Sequence, residues 1–364
     1  GLSVSATLSG ENQNGDSFGD EGAIVIIGKR MIIGAPKYDP TADAADLDKG
    51  AAYIYKDDGG SWTRYNVTLT SGSDVVNFGY GPMVLGEGFY TVAAPGVNKI
   101  YVFRTFGPQW ADDSTLLPAP LPRPEFGVSV AIDGDTTLVG APKFDNRGGV
   151  FVFQRASSNS DTWNMQDKIF GQTIGEKFGT SLGISGNTSV IGAPGANNNT
   201  GTAYIYERVG NSWVAQTKFT PAGLGANSQF GAAADISIDY AIVGAPGANA
   251  AYTFSRSGVT WSQNTTLSGF GKFGTSVAID DDVAIVGAPD ANTAYTYSRS
   301  GSSWNSSTQL SGSGSFGQSV DVDDDYAVVG APNYNGSAGA VYTFTRSGTS
   351  WNSGQTLTIA NTVS

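Results

Sequence analysis

The 364-residue sequence contains neither cysteine nor histidine. Without cysteine there is no disulfide framework and no thiolate site. Without histidine, Ser-His-Asp triads, histidine-ligated zinc and imidazole acid–base catalysis are excluded. No apolar run approaches the eighteen residues of a membrane-spanning helix. We therefore expect a chain that is not an enzyme, carries no cofactor and does not insert into a membrane.

Charged residues are also scarce, at 14% of the chain, and the 20 Lys and Arg are outnumbered by 32 Asp and Glu. Phosphate recognition needs a basic face, so nucleic acid is excluded as a partner, and an anionic membrane surface is disfavoured for the same reason. The 50 glycines suit a turn-rich all-β domain. An acidic surface rich in Ser, Thr and Asn, in a chain that begins at Gly1 without Met, predicts a mature extracellular or cell-surface protein.

What the sequence does contain is a repeat. Phe-Gly followed about a dozen residues later by Gly-Ala-Pro, or a close variant, occurs seven times. Between the two motifs, apolar residues recur at every second position on both sides of a short Asp or Gly turn. This pattern indicates a β-hairpin. The Phe-Gly pairs begin at Phe18, Phe78, Phe126, Phe178, Phe230, Phe273 and Phe316.

Each repeat continues with a strand that carries aromatic residues at i and i+2, such as Tyr252 and Phe254. A second turn then leads to one tryptophan per repeat and a fourth strand. Four short strands every 43 to 60 residues are typical of a propeller blade, and no segment has a sustained helical period. The tryptophans are Trp62, Trp110, Trp163, Trp213, Trp261, Trp304 and Trp351.

These seven units resemble the FG-GAP repeat family, whose best-known members are the N-terminal propellers of integrin α chains. The resemblance implies an all-β fold, a seven-bladed β-propeller of four-stranded antiparallel blades. It covers one domain, 1–364, with blades starting near residues 17, 77, 125, 177, 229, 272 and 315. One propeller architecture supports many functions, so the repeat predicts the fold more sharply than the function.

The resemblance also implies that the loops between strands two and three, and the links between blades, emerge on one face. Irregular segments concentrate there, at 37–49 in blade 1 and in the proline-rich link 116–125. Three units place an aromatic residue two positions after the Pro, and these rings either anchor a ligand or pack on their own loops. The candidate ligand-binding residues are Tyr38, Asp39, Phe144, Asp145, Asn146 and Tyr334.

Calcium is the cofactor that the resemblance suggests, since calcium-binding integrin blades carry a long acidic loop between their first two strands. The corresponding turns here, such as 133–135 and 280–282, are too short to wrap an ion, so those sites are not expected. A separate cluster of acidic residues is either a weak cation site or a solvated loop. Its members are Asp39, Asp43, Asp46 and Asp48.

Two further series repeat along the chain. Asn-x-Ser/Thr sequons are no more frequent than chance predicts, and they mark weak glycosylation candidates at Asn66, Asn198, Asn264, Asn305 and Asn335. A basic residue recurs near the end of the third strand, as at Arg256 and Arg299. Because each lies five residues before a Trp across a turn, we expect a guanidinium over an indole ring.

Residues 1–10 resemble an additional fourth strand, although blade 7 already has its own. The additional strand either adds to blade 7 or pairs with another molecule by strand addition. The sequence thus favours an extracellular binding or adhesion module, non-catalytic, for a protein or glycan ligand. The alternative is a structural subunit of a filament, a homo-polymer assembled through the terminal strand.

Overall fold

The computed structural model describes residues 18–19, 24–37, 50–69, 79, 83–86, 89–106, 109–116, 125–157 and 162–358. Within these ranges the chain is built almost entirely from β-strands, joined by tight turns and a few short helical turns. The expectation of scarce helix is confirmed for this part of the chain. Its longest helical segments, Ala196–Asn199 and Tyr334–Ser337, have four residues each.

The described strands form seven four-stranded antiparallel sheets, each made of four strands that are consecutive in the chain. The predicted all-β propeller with four-stranded blades is therefore the architecture of this chain. Blade 1 contains β1 (Ile24–Ile27), β2 (Arg30–Ala35), β3 (Ala51–Asp57) and β4 (Trp62–Leu69). Blade 2 contains β5 (Met83–Gly86), β6 (Phe89–Ala94), β7 (Lys99–Phe106) and β8 (Gln109–Leu116). Blade 3 contains β9 (Ser129–Asp133), β10 (Thr136–Ala141), β11 (Gly149–Arg155) and β12 (Trp163–Phe170).

The remaining blades repeat this pattern. Blade 4 contains β13 (Leu182–Ser185), β14 (Thr188–Ala193), β15 (Thr202–Val209) and β16 (Ser212–Phe219). Blade 5 contains β17 (Ala233–Ser237), β18 (Tyr240–Ala245), β19 (Ala250–Ser257) and β20 (Thr260–Ser268). Blade 6 contains β21 (Val277–Asp280), β22 (Val283–Ala288), β23 (Thr293–Ser300) and β24 (Ser303–Ser311). Blade 7 contains β25 (Ser319–Asp323), β26 (Tyr326–Ala331), β27 (Ala340–Ser347) and β28 (Ser350–Leu357).

The Phe of each described Phe-Gly pair packs on the aromatic pair of its own third strand. In blade 5 the Phe230 ring lies 5.4 Å from Tyr252 and 6.3 Å from Phe254, edge to face in both cases. The same arrangement occurs in blades 1, 3, 4, 6 and 7. Each edge-to-face pair adds about 0.5–1.5 kcal/mol beyond the burial of its area. The repeated motif is therefore the core of the blade.

A β-bulge lies between the third and fourth strands of every blade. In blade 5 the register shifts between Tyr252 and Phe254, at the aromatic pair itself. The other six blades shift at the corresponding position. A bulge increases local twist. The twist turns the outer strand of each blade relative to its inner strands.

Hydrophobic side chains fill the spaces between adjacent blades. Ile24, Met31 and Tyr53 of blade 1 pack against Val328 and Leu357 of blade 7. The opposite face of the same blade presents Ile32 and Ile54 to blade 2. The first strands also contact their neighbours around the whole ring, including β1 with both β5 and β25. The ring is thus closed by packing between blades 7 and 1.

Polar contacts support the closure. The Ile26 N–H donates to Asp321 Oδ2 at 2.7 Å, and the Ser319 hydroxyl donates to the Gly19 carbonyl at 2.9 Å. Phe18 forms a parallel bridge with Gly339. Blades 1 and 7 each use four of their own strands, and the additional strand predicted at 1–10 lies outside the described residues.

Candidate functional site

The strand order gives the propeller two different ends. We call the end that carries the loops between strands two and three, together with the links between blades, the loop face. We call the opposite end the turn face, because it carries the hairpin turns between strands one and two and between strands three and four. Of the predicted ligand-binding residues, Phe144, Asp145, Asn146 and Tyr334 belong to the loop face.

Three loops on the loop face are short and end on a left-handed asparagine. Asn98, Asn249 and Asn292 have φ between 51° and 55°. The side-chain oxygen of each accepts a backbone N–H from the link before the next blade, at Phe126, Lys272 and Phe316 respectively. Asparagine tolerates this backbone region and supplies the acceptor, which explains its recurrence. Each short loop thus holds the next blade.

Three other loops are longer and contain consecutive left-handed residues, as at Asp145 and Asn146 in blade 3. They end on a glycine that bridges to the Phe of the next Phe-Gly pair, Gly148 to Phe178 and Gly201 to Phe230. At Gly148, with φ of 91°, a Cβ atom would overlap the Phe178 backbone. Because this geometry repeats in blades 3, 4 and 7, we interpret its backbone strain as part of the fold rather than as a mark of a binding site.

The predicted aromatic anchors pack on their own blades. Phe144 lies edge to face with Phe151 at 5.5 Å and stacks on Phe170 at 5.3 Å. Tyr334 lies edge to face with Tyr342 at 6.3 Å. Both rings remain half-buried on the loop face, and their ligand-binding role stays a prediction.

The polar candidates beside these rings are exposed. Asp145 forms an ion pair of 2.5 Å with Arg147, and Asn146 lies next to it in the same loop. Tyr38 and Asp39 lie outside the described residues. The structure thus brings Phe144, Asp145 and Asn146 together and places Tyr334 in blade 7.

The predicted cation cluster at Asp39, Asp43, Asp46 and Asp48 also lies outside the described residues. Among the residues that are described, no three Asp or Glu side chains come together in a way that could hold a metal ion. The sequons at Asn198, Asn305 and Asn335 are exposed, whereas Asn264 is half-buried and donates to the Ser302 carbonyl at 3.0 Å. For Asn66 only the backbone strand is described.

A cavity of about 950 Å³ opens at the centre of the loop face, and its described lining comes from blades 3 to 7. Its wall is formed by the starts of the first strands, and its rim by Gln229, Asn249, Lys272 and Asp290. Sequence reasoning missed these rim residues because they lie in the shortest and most regular repeats. We call this space the mouth cavity.

Blade 5 gives the mouth cavity its asymmetry. In blades 3, 4, 6 and 7 a serine at the start of the first strand, or just before it, donates to the carbonyl of the next Phe-Gly glycine, as Ser181 does to Gly231 at 2.9 Å. Blade 5 has Ala233 at this position, between Ala232 and Ala234. Three consecutive alanines replace larger or polar side chains of the other blades, so blade 5 contributes the least bulk to the cavity wall.

Carboxylates lie farther along the same first strands and join neighbouring blades. Asp235 accepts the Ile279 N–H of blade 6 at 2.9 Å, and Asp321 accepts the Ile26 N–H of blade 1. Burial raises the pKa of Asp235 to about 6, although backbone hydrogen bonds oppose the shift. Burial also raises the pKa of Asp321 well above its usual range, and repulsion from Asp235 adds to it. Both carboxylates therefore favour protonation more than exposed ones do.

On the turn face, arginines at the ends of the third strands join adjacent blades. Arg256 bonds to Asp239 of its own blade at 2.7 Å and to Glu207 of the preceding blade at 3.1 Å. Arg346 likewise bonds to Asp325 at 3.0 Å and to Asp282 of blade 6 at 3.1 Å. Sequence reasoning missed these bonds across blades because they join residues up to 64 positions apart.

The predicted contact between arginine and tryptophan is confirmed in two blades. The guanidinium carbon lies 5.7 Å from the ring centre at Arg256/Trp261 and 6.0 Å at Arg299/Trp304. Arg299 lies closer to Tyr240 of blade 5, at 3.9 Å, and donates to its hydroxyl. The aromatic contact is thus one part of a contact between blades.

The turn face of blades 6 and 7 is acidic. Its two inner turns carry Asp280 to Asp282 and Asp323 to Asp325, six carboxylates against the two nearby arginines. Partial burial raises the pKa of Asp280 and of Asp323, and the neighbouring carboxylates raise both further. Of these six carboxylates, those of Asp282 and Asp325 bond to Arg346.

The fold is a β-propeller of four-stranded blades whose loops interlock neighbouring blades. An FG-GAP repeat model matches residues 122–153, 172–206 and 310–344, so FG-GAP repeats occur at three places, consistent with the FG-GAP β-propeller family. FG-GAP propellers are generally non-enzymatic. These matches cover the motifs at Phe126, Phe178 and Phe316.

Integrin alpha-7 from Rattus norvegicus is 32% identical over 165 residues, covering 40% of this chain, and its counterpart from Mus musculus is 31% identical over the same share. The matched part spans 14% of the length of these relatives. The similarity suggests an extracellular or surface context. No helix in the described part of the chain is long and apolar enough to cross a membrane.

Two solved structures share the fold at low identity. A protein from Lactobacillus plantarum has a TM-score of 0.64 at 13% identity, covering 90% of this chain and 95% of that one. Sqt1 from Saccharomyces cerevisiae has a TM-score of 0.57 at 14% identity, covering 93% and 85%. At these identities the similarity concerns the fold alone.

Proposed function

We propose that this chain is a non-catalytic extracellular binding or adhesion module that captures a protein partner on its loop face. The observation that carries the proposal is the mouth cavity, which lies on the same face as two strongly exposed apolar side chains. Ile174 is 83% exposed and Phe270 is 80% exposed, and each lies in a link between blades. Exposed apolar residues beside a polar rim are typical of protein interaction sites.

The described lining of the mouth cavity favours a protein over a glycan. It contains no aromatic ring on which a sugar could stack. It combines small apolar residues with a few polar groups, including Lys272 paired with Asp290 at 3.3 Å. A protein segment offers apolar side chains and backbone groups that match such a lining.

The proposal is tested by measuring the binding of the labelled, purified chain to intact cells of its source. The loop-face variant Ile174→Ser plus Phe270→Ser should lose at least about tenfold in affinity, since each exposed anchor contributes on the order of 1 kcal/mol. The matched variant Ile238→Ser plus Val259→Ser changes two exposed apolar residues of the turn face and should bind as the unmodified chain does.

Two treatments of the cells separate the ligand classes. Loss of binding after protease treatment supports a protein partner. Loss after glycosidase treatment alone would instead identify a glycan, and equal binding by both variants would exclude the loop face. Filament assembly through residues 1–10 stays a prediction, because that strand lies outside the described residues.

A further inference from the structure

The large exposed apolar side chains of the described residues lie at the two ends of the propeller. Phe170, Ile174 and Phe270 are on the loop face. The others lie in or beside turns of the turn face, at Ile27, Val209, Val214, Ile238 and Val259. Single exposed apolar residues are ordinary, but their restriction to two opposite faces indicates that both faces make contacts.

These apolar residues lie mostly on one side of the ring. On the loop face, Ile174 precedes blade 4 and Phe270 precedes blade 6. On the turn face, Val209 and Val214 belong to blade 4, whereas Ile238 and Val259 belong to blade 5. A second propeller placed on the first along the same axis would bring apolar residues of one loop face against apolar residues of the other turn face.

The two faces also carry exposed charges of opposite sign. On the loop face, the exposed Lys177 and Lys272 immediately precede the Phe of their Phe-Gly pairs, and Asp290 accompanies Lys272. On the turn face, the side chains of Asp281 and Asp324 project from the acidic turns of blades 6 and 7 and are exposed. The arginine between blades 4 and 5, Arg256, is already paired with two carboxylates.

We infer that the protein partner of the loop face is a second copy of this chain, which docks with its turn face. The inference rests on the proposed function, since it names the partner of the same face. Loop face against loop face would bring Lys177 and Lys272 together, and turn face against turn face would bring the acidic turns together. Only the arrangement of loop face on turn face pairs opposite charges. Such a heterologous contact does not close, so copies stack into a column.

A charge exchange tests the contact. The variant Lys177→Glu plus Lys272→Glu makes the loop face acidic, and the variant Asp281→Lys plus Asp324→Lys makes the turn face basic. Light scattering and analytical ultracentrifugation at low salt should show concentration-dependent association of the unmodified chain. Each variant alone should stay monomeric, because its two faces then carry the same sign. A one-to-one mixture of the variants should associate again, because both kinds of contact regain opposite charges.

Apolar variants give a second test that does not depend on charge. Ile174→Ser plus Phe270→Ser retains an unmodified turn face, and Ile238→Ser plus Val259→Ser retains an unmodified loop face. Neither should form columns alone, whereas their mixture should form dimers and nothing longer. Unchanged circular dichroism and melting temperature show that the variants are folded. An unmodified chain that remains monomeric at millimolar concentration overturns the inference, as do charge variants that associate alone.

The outcomes also separate this inference from the proposed function. If the chain is monomeric but the loop-face variant still loses cell binding, then the loop face binds another protein and the inference of a second copy is wrong. If the columns form but the loop-face variant binds cells normally, the faces pair with each other and the proposed capture of a cell-surface partner by the loop face is wrong.

Discussion

At the loop face, neighbouring blades are joined mainly by backbone hydrogen bonds, asparagine amides and close glycine contacts. At the turn face they are joined by arginine side chains and by Asp or Ser side chains that accept backbone N–H groups of the next blade. The Phe178 N–H, for example, donates to the Arg147 carbonyl at 3.0 Å across the junction of blades 3 and 4. Arg346 spans the junction of blades 6 and 7 at the other end. The loop face thus depends on backbone geometry, while the turn face depends mainly on polar and charged side chains.

The largest expected effect tests the backbone geometry of the loop face. Gly148→Ala forces a side chain into a left-handed backbone and against Phe178, so it should lower the free energy of unfolding by about 3–5 kcal/mol. Gly134→Ala is the matched change on the turn face, where φ is 53° and no atom lies within 4 Å of the new Cβ. It should cost only about 1 kcal/mol. Urea unfolding measures both, and equal costs would contradict the comparison.

The next effect tests the arginines. Arg346→Met retains much of the side-chain volume but removes bonds to Asp325 and Asp282, and should cost about 2 kcal/mol in stability. Lys272→Met on the loop face removes an ion pair between side chains that are both more than half exposed, and should cost no more than about 0.5 kcal/mol. Thermal unfolding at low and high salt compares them. A larger loss of stability for Lys272→Met than for Arg346→Met would contradict the conclusion that charged side chains matter more at the turn face.

A third prediction concerns Asp235 on the first strand of blade 5, between the two faces. The pKa of Asp235 is about 6 in the folded chain and near 3.8 when exposed, so the folded state binds its proton more tightly. The contribution of this group to stability therefore increases as pH falls from 7 to 4 and is lost as pH rises through about 6. Asp235 is half-buried and keeps some contact with solvent, so the expected gain is about 1 kcal/mol.

Asp235→Asn should remove this pH-dependent contribution. The free energy of unfolding is measured for the unmodified chain and for Asp235→Asn at pH 4 and at pH 7. The difference between the two chains at each pH removes the contributions of the carboxylates that they share. The charged groups that act on Asp235 are Asp280 and Asp321, and both remain in the variant. The same pH profile in both chains would show that Asp235 has an ordinary pKa.

The smallest expected effect lies in the mouth cavity. Ala233→Ser supplies a hydroxyl that can donate to the carbonyl of the next Phe-Gly glycine, as the serine does in four other blades. It should therefore stabilise the chain by about 0.5–1 kcal/mol. It should also narrow the cavity on the side of blade 5. Ser276→Ala, the reverse change in blade 6, should destabilise by a similar amount. A melting temperature that falls for Ala233→Ser would show that the three alanines are required for packing.

The blade interior could be predicted from the sequence because its signals are local. Phe-Gly, the tight Asp or Gly turn and the aromatic pair of the third strand each specify a structure within one repeat, as at Phe230, Tyr252 and Phe254. The contacts that join blades could not be predicted in the same way. Arg256 bonds to Thr188 and Glu207, which lie 68 and 49 residues away, and nothing near Arg256 in the sequence indicates them.

The candidate site was less predictable than the fold. Sequence reasoning searched for irregular loops, yet Phe144 and Tyr334 pack on their own blades. The mouth cavity depends instead on small residues in regular repeats, where Ala233 occupies a serine position. One signal was available: the Ala-Ala-Ala run after Gly231 departs from the Ser-Val or Ser-Leu pair that blades 3, 4, 6 and 7 have at this position. The run can be related to a cavity only when the ring is known, because the ring places the first strands around one axis.

The closure between blades 7 and 1 has a mechanical consequence. Every other junction is crossed by the peptide chain itself. Within the described residues this one is held by packing, by the backbone bridge between Phe18 and Gly339, and by side-chain bonds such as Tyr326 to Asp57 at 3.1 Å. Phe18 and Leu357 belong to the same hydrophobic cluster at this seam. A pulling force applied across these two positions loads the seam before it loads any blade. Under tension the propeller should therefore open first at the junction of blades 7 and 1, while the individual sheets stay folded.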